Sequence, residues 1–222
     1  MQLSINQNLK SSYPDLKVSV FEAKTKSKLE LNQDLITKKR ELEKMIRESY
    51  KDTERLDRII KYNAFYKKFD SKVPMEFQIK SVIENKEIPL VNSVVTCMFM
   101  AELKNIILTA GHDTGRLGEK IRVSCSDGTD EYVKINGKQQ KLKKGDIFAS
   151  DNNGIISSVF YGPDLRTKIT DGTKNFMFMC YCPFSISDNE IRGHMQDIVD
   201  YLKILGENKL EFGDIEVFNV KK

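Results

Sequence analysis

Six short apolar segments follow one another closely in the second half of the sequence, and each has the character of a β-strand. They are rich in Ile, Val and Phe, residues that favour extended backbone. The segments are residues 106–108, 121–123, 132–135, 147–149, 155–160 and 176–181. Asn136-Gly137 separates the third segment from a lysine-rich strand, and this dipeptide is the strongest short signal for a β-hairpin. The pattern predicts a β-rich domain.

Helical patterns precede this β-rich part. From Asn32 to Lys61 apolar residues recur at helical spacing, which predicts one long amphipathic helix or two with a break near Tyr50. A short helix is expected to begin at Ser81 and to end before Ile88-Pro89, because the residue before a proline is pushed out of helical geometry. Residues 90–103 carry apolar side chains at spacings of three and four, which predicts a buried helix.

The two flanks complete the prediction. Residues 16–23 alternate apolar and polar side chains, which is typical of a half-buried strand. Ser187 and Glu190 form a capping box that opens a last helix, and Gly206 ends it. A helix-rich first third therefore leads into a β-rich domain closed by a helix, which is an α+β arrangement.

Composition excludes several classes of protein. The chain has 222 residues, 40% hydrophobic and 31% charged, as expected for a globular protein of one large domain or two small ones. The longest nearly uncharged apolar run, Val94 to Ala101, covers eight residues, and a membrane span needs roughly 20. The first residues do not form a secretory signal, so a cytoplasmic protein is expected. Four cysteines without a CxxC pair and two histidines predict a reduced compartment and neither structural metal nor cofactor.

The net charge of +4 does not by itself indicate a nucleic-acid-binding protein, since 36 basic residues stand against 32 acidic ones. The helix at residues 32–61 mixes both signs and is expected to present a solvated face. One cluster, here called the lysine patch, is a candidate for contact with phosphates or an ordinary charged loop. It consists of Lys138, Lys141, Lys143 and Lys144.

Polar residues that could support chemistry follow the apolar segment at 106–108. Gly111-His112-Asp113 can place an imidazole beside a carboxylate, an arrangement suited to a general base or to holding a water molecule. The alternative is structural, with Asp113 capping the next turn and His112 satisfied within a loop. No phosphate-binding loop, dinucleotide-binding glycine motif, serine nucleophile elbow or HExxH motif is present in the sequence.

A second polar group lies in residues 161–173. Asp164 and Arg166 could recognise a polar group of a ligand, and the alternative is a long polar hairpin loop. Asn92 is placed inside the apolar helix at 90–103, where a buried amide needs a hydrogen-bond partner and serves either the structure or a ligand.

Taken together, residues 89–183 resemble the B3/B4 domain of the phenylalanyl-tRNA synthetase β chain, in the form that occurs as a free-standing protein. The resemblance lies in the order and spacing of short motifs. They are Ile88-Pro89-Leu90-Val91-Asn92, Thr109-Ala110-Gly111-His112-Asp113, Leu117-Gly118 with Ile121-Arg122-Val123, Gly145-Asp146 with Asp151 and Gly154, and Gly162-Pro163-Asp164 with Ile169-Thr170 and Thr173.

The resemblance implies a mixed sheet core with flanking helices, residues 67–222 forming the B3/B4-like domain and residues 1–66 an N-terminal strand and helical region. It also implies an activity, the hydrolysis in trans of a tyrosine-like amino acid esterified to the phenylalanine tRNA. The family motif separates its histidine from the aspartate, whereas His112 here adjoins Asp113. Asp164 aligns with an acidic residue that reads the tyrosine hydroxyl, and it is one methylene shorter than glutamate.

On this interpretation each candidate residue takes a role at a pocket for the amino acid. His112, Asp113 and Thr173 are the catalytic set, positioning water and supplying a hydroxyl. Asn92, Gly111, Asp164 and Arg166 bind the substrate, and the lysine patch meets the acceptor end of the aminoacyl-tRNA. The alternatives are a non-catalytic module that binds an amino acid or tRNA, and a decayed fold used for assembly. The oligomeric state is left open.

Overall fold

Helices predominate in the first half of the chain and strands in the second half of the computed structural model, which describes residues 2–50 and 53–221. The helices are α1 (Asn8–Ser12), α2 (Gln33–Ser49), α3 (Thr53–Tyr66), α4 (Pro74–Ile83), α5 (Ser93–Asn105) and α6 (Asp188–Gly206). The strands are β1 (Gln2–Ile5), β2 (Lys17–Thr25), β3 (Thr109–Asp113), β4 (Lys120–Cys125), β5 (Glu131–Val133), β6 (Gln139–Lys141), β7 (Ile147–Asp151), β8 (Gly154–Ser158), β9 (Gly162–Pro163), β10 (Asn175–Cys182), β11 (Leu210–Phe212) and β12 (Glu216–Asn219). The α+β prediction is confirmed.

β10 is the apolar strand around which the first sheet forms. Every residue from Phe176 to Cys182 is buried, because both faces of the strand are covered. β10 pairs antiparallel with β2 on one side and with β3 on the other, and β11 and β12 pair with the far edge of β2. The rings of Phe178 and Phe21 stack across the β10–β2 pair with centroids 5.0 Å apart. The segment 16–23 is thus an inner strand, buried from Val18 to Phe21, rather than the half-buried strand predicted.

The second sheet has the order β1-β4-β7-β8-β9. Its β1–β4 pair is parallel, and the other pairs are antiparallel. The separate β5–β6 hairpin turns at Asn136-Gly137, as the sequence predicts, with Gly137 at φ +80°. Tyr181 of β10 links the two sheets, since its hydroxyl lies 2.5 Å from the Ser157 hydroxyl of β8.

Helix α3 is fixed to both sheets by two buried tyrosines. The Tyr62 hydroxyl donates to the Tyr181 carbonyl at 2.7 Å and accepts from the Leu108 amide at 2.9 Å. The Tyr66 hydroxyl donates to the Val159 carbonyl at 2.7 Å. Backbone groups at strand ends are thereby satisfied by side chains, which holds the ends of β3, β8 and β10 beside α3.

Several predicted boundaries agree with the structure. The amphipathic pattern at 32–61 forms two helices, α2 and α3, and Tyr50 is the C-cap of α2. Asn32 caps α2 by accepting from the Leu35 amide. Ser187 and Glu190 form the predicted capping box, in which each side chain bonds the backbone amide of the other residue.

Three predictions of local structure are wrong. Residues 106–108 form no strand, because Ile106 ends α5 with a left-handed backbone and β3 begins at Thr109. The helix expected to begin at Ser81 begins seven residues earlier, at Pro74 of α4, where the missing N–H of proline needs no partner. Asn92 is not inside a helix, since it is the N-cap of α5 and accepts from the amides of Val94 and Val95.

The mixed-sign face of α2 is not solvated throughout. Lys39 is only 1% exposed and contacts Glu43 and Glu87 at 2.8 Å each. The Glu43 carboxylate also accepts from the Ile88 amide at 2.7 Å, so this buried group ties α2 to the segment before α5.

The proposed boundary between residues 66 and 67 stays a prediction. Tyr66 ends α3, and a short 3-10 helix, Lys67–Phe69, follows at once. β2 of the N-terminal region lies between β10 and β11 in the first sheet. Within residues 2–50 and 53–221, none of the helices combines the length and the apolar character needed to cross a bilayer.

Candidate functional site

A cavity of about 290 Å³ lies between helices α4 and α5 and the ends of the two sheets. Each helix contributes residues spaced i, i+1 and i+4, which share one helical face. Strand β3 and the turn after β8 form the opposite wall. This α4–α5 cavity is lined by Tyr66, Pro74, Met75, Gln78, Met98, Phe99, Glu102, Leu108, Thr109, Ala110, Ser158, Val159, Phe160, Tyr161, Gly162, Pro163 and Tyr181.

Asp146 fixes the turn at residues 158–161 through hydrogen bonds. Its carboxylate, fully buried, accepts from the Ser158 hydroxyl at 2.5 Å and from the Phe160 amide at 3.2 Å. Burial raises the pKa of Asp146 to about 7, and these hydrogen bonds oppose the rise. The Ser158 hydroxyl accepts in turn from the Tyr161 amide, so the backbone of this cavity wall is fixed by buried polar groups.

Two polar groups face the cavity from the helices. Glu102 of α5 is 8% exposed, and burial raises the pKa of its carboxyl to about 8, against the Thr109 backbone amide, which lowers it. Oε1 of Gln78 on α4 is buried and has no hydrogen-bond partner among the described residues. The cavity therefore combines apolar walls with two polar side chains on adjacent helices.

His112 lies in the core rather than at the surface. Its Nδ1 is 2.8 Å from the Thr167 hydroxyl, which donates to the Asp164 carboxylate. The hydroxyl proton is thus directed to Asp164, so Nδ1 carries the imidazole proton and donates to Thr167. Burial lowers the pKa of His112 to about 3 and keeps the ring neutral. Its Nε2 is buried without a partner in the described part of the chain.

Asp113 points to the other face of β3, because successive strand residues alternate. Its carboxylate accepts from the Gly115 amide at 2.9 Å and from the Thr173 hydroxyl at 2.8 Å. The structure therefore joins Asp113 to Thr173, while the hydrogen-bond partner of His112 is Thr167. Asn92 contacts the same loop through a 2.7 Å bond from its side-chain amide to Asp171.

Gly111 is closely packed by a neighbouring side chain, and Arg166 is held by an ion pair. A side chain at Gly111 would meet the Ile169 side chain at 2.8 Å, so β3 packs against the 164–173 loop at that point. The Arg166 guanidinium forms a bidentate pair with Asp151, with N–O distances of 2.8 and 3.0 Å. It also donates to the Arg116 carbonyl at 2.6 Å.

The predicted catalytic and substrate-binding residues thus lie beside the cavity, in several hydrogen-bonded groups, instead of lining it. Their sequence neighbours Thr109, Ala110, Gly162 and Pro163 do line it. Asp164 is 3% exposed, and its pKa is raised by burial against its hydrogen bonds to Thr167. His112 and Asp164 are brought together through Thr167.

The lysine patch is exposed at all four positions. Lys143 donates to the Phe69 carbonyl at 2.7 Å and lies 5.2 Å from the ring centroid of Phe160. Lys134, which the sequence did not single out, lies 5.7 Å from the ring centroid of Tyr161. Since both rings line the cavity, positive charge is adjacent to its turn-side wall.

The sequence reasoning missed Gln78 and Glu102. Glu102 carried a usable signal, because it is an acidic residue within the apolar pattern at 90–103, where a charge is costly unless it serves a purpose. Gln78 gave none, since the start of α4 was misplaced.

Comparison with known proteins identifies a similar structure and a matching family model. A structure of an N-terminal fragment of the phenylalanyl-tRNA synthetase β-subunit from Pyrococcus horikoshii is similar at 11% identity and a TM-score of 0.51, over 95% of this chain and 50% of that one. The chain thus spans half the length of that fragment, and at this identity the likeness establishes the fold alone. None of the curated proteins matches. The family model described as B3/4 domain matches residues 62–198. Since these residues are more than half of the chain, the protein belongs to the B3/4 domain family.

Proposed function

We propose that this protein hydrolyses misacylated aminoacyl-tRNA in trans, with the aminoacyl group in the α4–α5 cavity and water as the attacking group. The position of the cavity carries the proposal. It is bounded by β3 and by the turn at 158–163, the segments that the resemblance ties to editing. The proposed substrate is a tRNA of the phenylalanine type that carries a tyrosine-like amino acid.

Hydrolysis of an aminoacyl ester requires few catalytic groups from the protein. An aminoacyl ester is already activated, so a shaped pocket, a held water molecule and a donor for the developing oxyanion are sufficient. His112 supports the water-holding role, because its neutral Nε2 accepts hydrogen bonds and lies on the same strand face as Ala110, which lines the cavity. Asp113 and Thr173 complete the proposed set as positioning residues, because their hydrogen bond holds the loop that packs on β3.

The proposed substrate-binding residues Asn92, Gly111, Asp164 and Arg166 act by holding the 164–173 loop in place beside the cavity. The lysine patch would hold the phosphates of the acceptor end. Lys138, Lys141 and Lys144 are exposed, and Lys143 is fixed beside Phe160 at the cavity. Positive charge around an apolar cavity suits a ligand with an aminoacyl end and a phosphate backbone.

Deacylation by the purified protein tests the activity. We expect release of tyrosine or meta-tyrosine from the phenylalanine tRNA to be faster with protein than without. Ala110→Leu should abolish this release, because the longer side chain extends into the cavity, and thermal unfolding checks that the variant folds. No release from a panel of misacylated tRNAs would refute the proposal.

The tRNA contact has its own test. Lys138→Glu combined with Lys141→Glu should lower kcat/KM for aminoacyl-tRNA at least tenfold. The matched control reverses two exposed lysines elsewhere, Lys10 and Lys26, and should leave the rate within twofold. Equal rates for the two double variants would contradict the assignment of the lysine patch.

A second candidate function is binding without hydrolysis. It is favoured by the internal pairing of the polar set, since Asp113 bonds Thr173, Asp164 accepts from Thr167 and Arg166 pairs with Asp151. A binding module would give a thermal shift with aromatic amino acids or tRNA and no deacylation of any ester.

A further inference from the structure

We propose that Glu102 and Gln78 form a subsite for the α-ammonium group of an aromatic amino acid inside the α4–α5 cavity. The inference rests on the proposed function and deepens it, because it names the residues that read the amino end of the aminoacyl group. Neither residue is hydrogen-bonded to His112, Asp113 or Asp164.

Glu102 is an acid without a counter-charge. None of the described residues that line the cavity is Lys, Arg or His, and no charged group among the described residues contributes to the pKa shift of Glu102. Glu102 is only 8% exposed, and this burial raises the pKa of its carboxyl to about 8. A buried carboxylate is costly unless it is paired, so a cationic ligand would supply the missing partner.

Gln78 provides a second acceptor on the neighbouring helix. Its Oε1 is buried and unpartnered within the described residues, and leaving a buried acceptor unpaired is destabilising. An ammonium group has three N–H donors. A carboxylate and an amide oxygen on adjacent walls can accept two of them, and a backbone or ester oxygen can accept the third.

The remaining walls select the body of the ligand. Phe99, Phe160 and Tyr161 present aromatic surface, and Met75 and Met98 present flexible apolar side chains that adapt to a ring. At about 290 Å³ the cavity is at the lower end of the range for small-molecule sites, which suits one amino acid and not a nucleotide. A phenolic hydroxyl could also reach an acceptor, but it brings no positive charge to balance Glu102.

Binding of L-tyrosinamide, a non-hydrolysable amine ligand, tests the subsite by calorimetry at pH 7. We expect N-acetylation of the ligand to weaken binding at least tenfold, because it removes the ammonium charge. Glu102→Gln should weaken tyrosinamide at least tenfold and leave N-acetyl-tyrosinamide unchanged, and Gln78→Met should have a smaller effect in the same direction. Titrations in two buffers should show a net release of protons on binding, lost in Glu102→Gln.

The outcomes separate the inference from the proposed function. Tyrosinamide binding that depends on Glu102, without deacylation, supports the subsite and refutes the hydrolase. Deacylation with the same KM in wild type and Glu102→Gln supports the hydrolase and refutes the subsite. Equal binding of the acetylated ligand, or no binding of tyrosinamide at millimolar concentration, also overturns the inference. The exposed Glu119→Gln is the matched control and should bind as wild type.

Discussion

Replacing Glu102 by glutamine is expected to stabilise the protein by an amount that grows with pH. Burial raises the pKa of the Glu102 carboxyl to about 8 from an ordinary value of 4.5. Because the folded-state pKa lies above the unfolded one, the folded chain binds the proton more tightly. Its favourable contribution is complete below pH 4.5 and is lost as the pH rises through 8. Glutamine is close to isosteric and has no charge to desolvate.

The magnitude follows from the two pKa values. At about 1.36 kcal/mol per pKa unit, ionisation of Glu102 costs roughly 1 kcal/mol at pH 5 and roughly 5 kcal/mol at pH 9. The free energy of unfolding of Glu102→Gln, relative to wild type, should therefore rise by about 4 kcal/mol between pH 5 and pH 9. Groups that titrate in both proteins, such as Asp146, cancel in this difference.

Urea unfolding at pH 5, 7 and 9 measures the effect directly. Glu119→Gln changes an exposed carboxyl and should shift the free energy of unfolding by less than about 0.5 kcal/mol at every pH. If the gain from Glu102→Gln were the same at pH 5 and pH 9, the carboxyl would not be desolvated, and the description of this cavity wall would be wrong.

Three further predictions concern other elements. Burial lowers the pKa of His112 and His194 to about 3, so their NMR signals should not titrate near pH 6.5. Both residues should reduce the free energy of unfolding as the pH falls from about 6.5 toward 3. An ordinary titration midpoint for His112 would place it outside the core. Tyr66→Phe removes the hydrogen bond to the Val159 carbonyl and should lower the free energy of unfolding by about 1–3 kcal/mol, measured in urea; no change would mean that water replaces the hydroxyl. Gly137→Ala should lower the free energy of unfolding by about 1 kcal/mol through the left-handed backbone alone, because the added carbon meets no atom within 4 Å. Faster hydrogen exchange of the amides in β5 and β6 is the measurement, and unchanged exchange would contradict the turn geometry.

Local patterns predicted the elements whose cause is local. The Ser187–Glu190 capping box and the Asn136-Gly137 turn depend on a few neighbouring residues, and both occur as predicted. Residues 106–108 were wrongly predicted to form a strand, because an apolar run does not distinguish a strand from a buried connection. The Tyr62 hydroxyl, which accepts from the Leu108 amide, comes from a helix more than 40 residues away, and no local pattern contains it.

The predicted site residues lie in segments that border the candidate cavity, although their own side chains do not line it. Which strand face each residue occupies depends on register, and register is set by partners elsewhere in the chain, such as the Phe178–Gly111 pair of β10 and β3. The roles of His112, Asp113 and Thr173 stay predictions.

The position of β2 has a consequence for synthesis on the ribosome. Its partners β10, β11 and β12 lie about 150 residues or more further along the chain, with Phe21 opposite Phe178. At roughly 5–20 residues per second, about 8–30 s separate the emergence of β2 from that of β10. During this time an apolar strand with both edges open is a target for wrong pairing. Nascent chains stalled before β10 should therefore engage holdase chaperones, and release should coincide with the arrival of that strand.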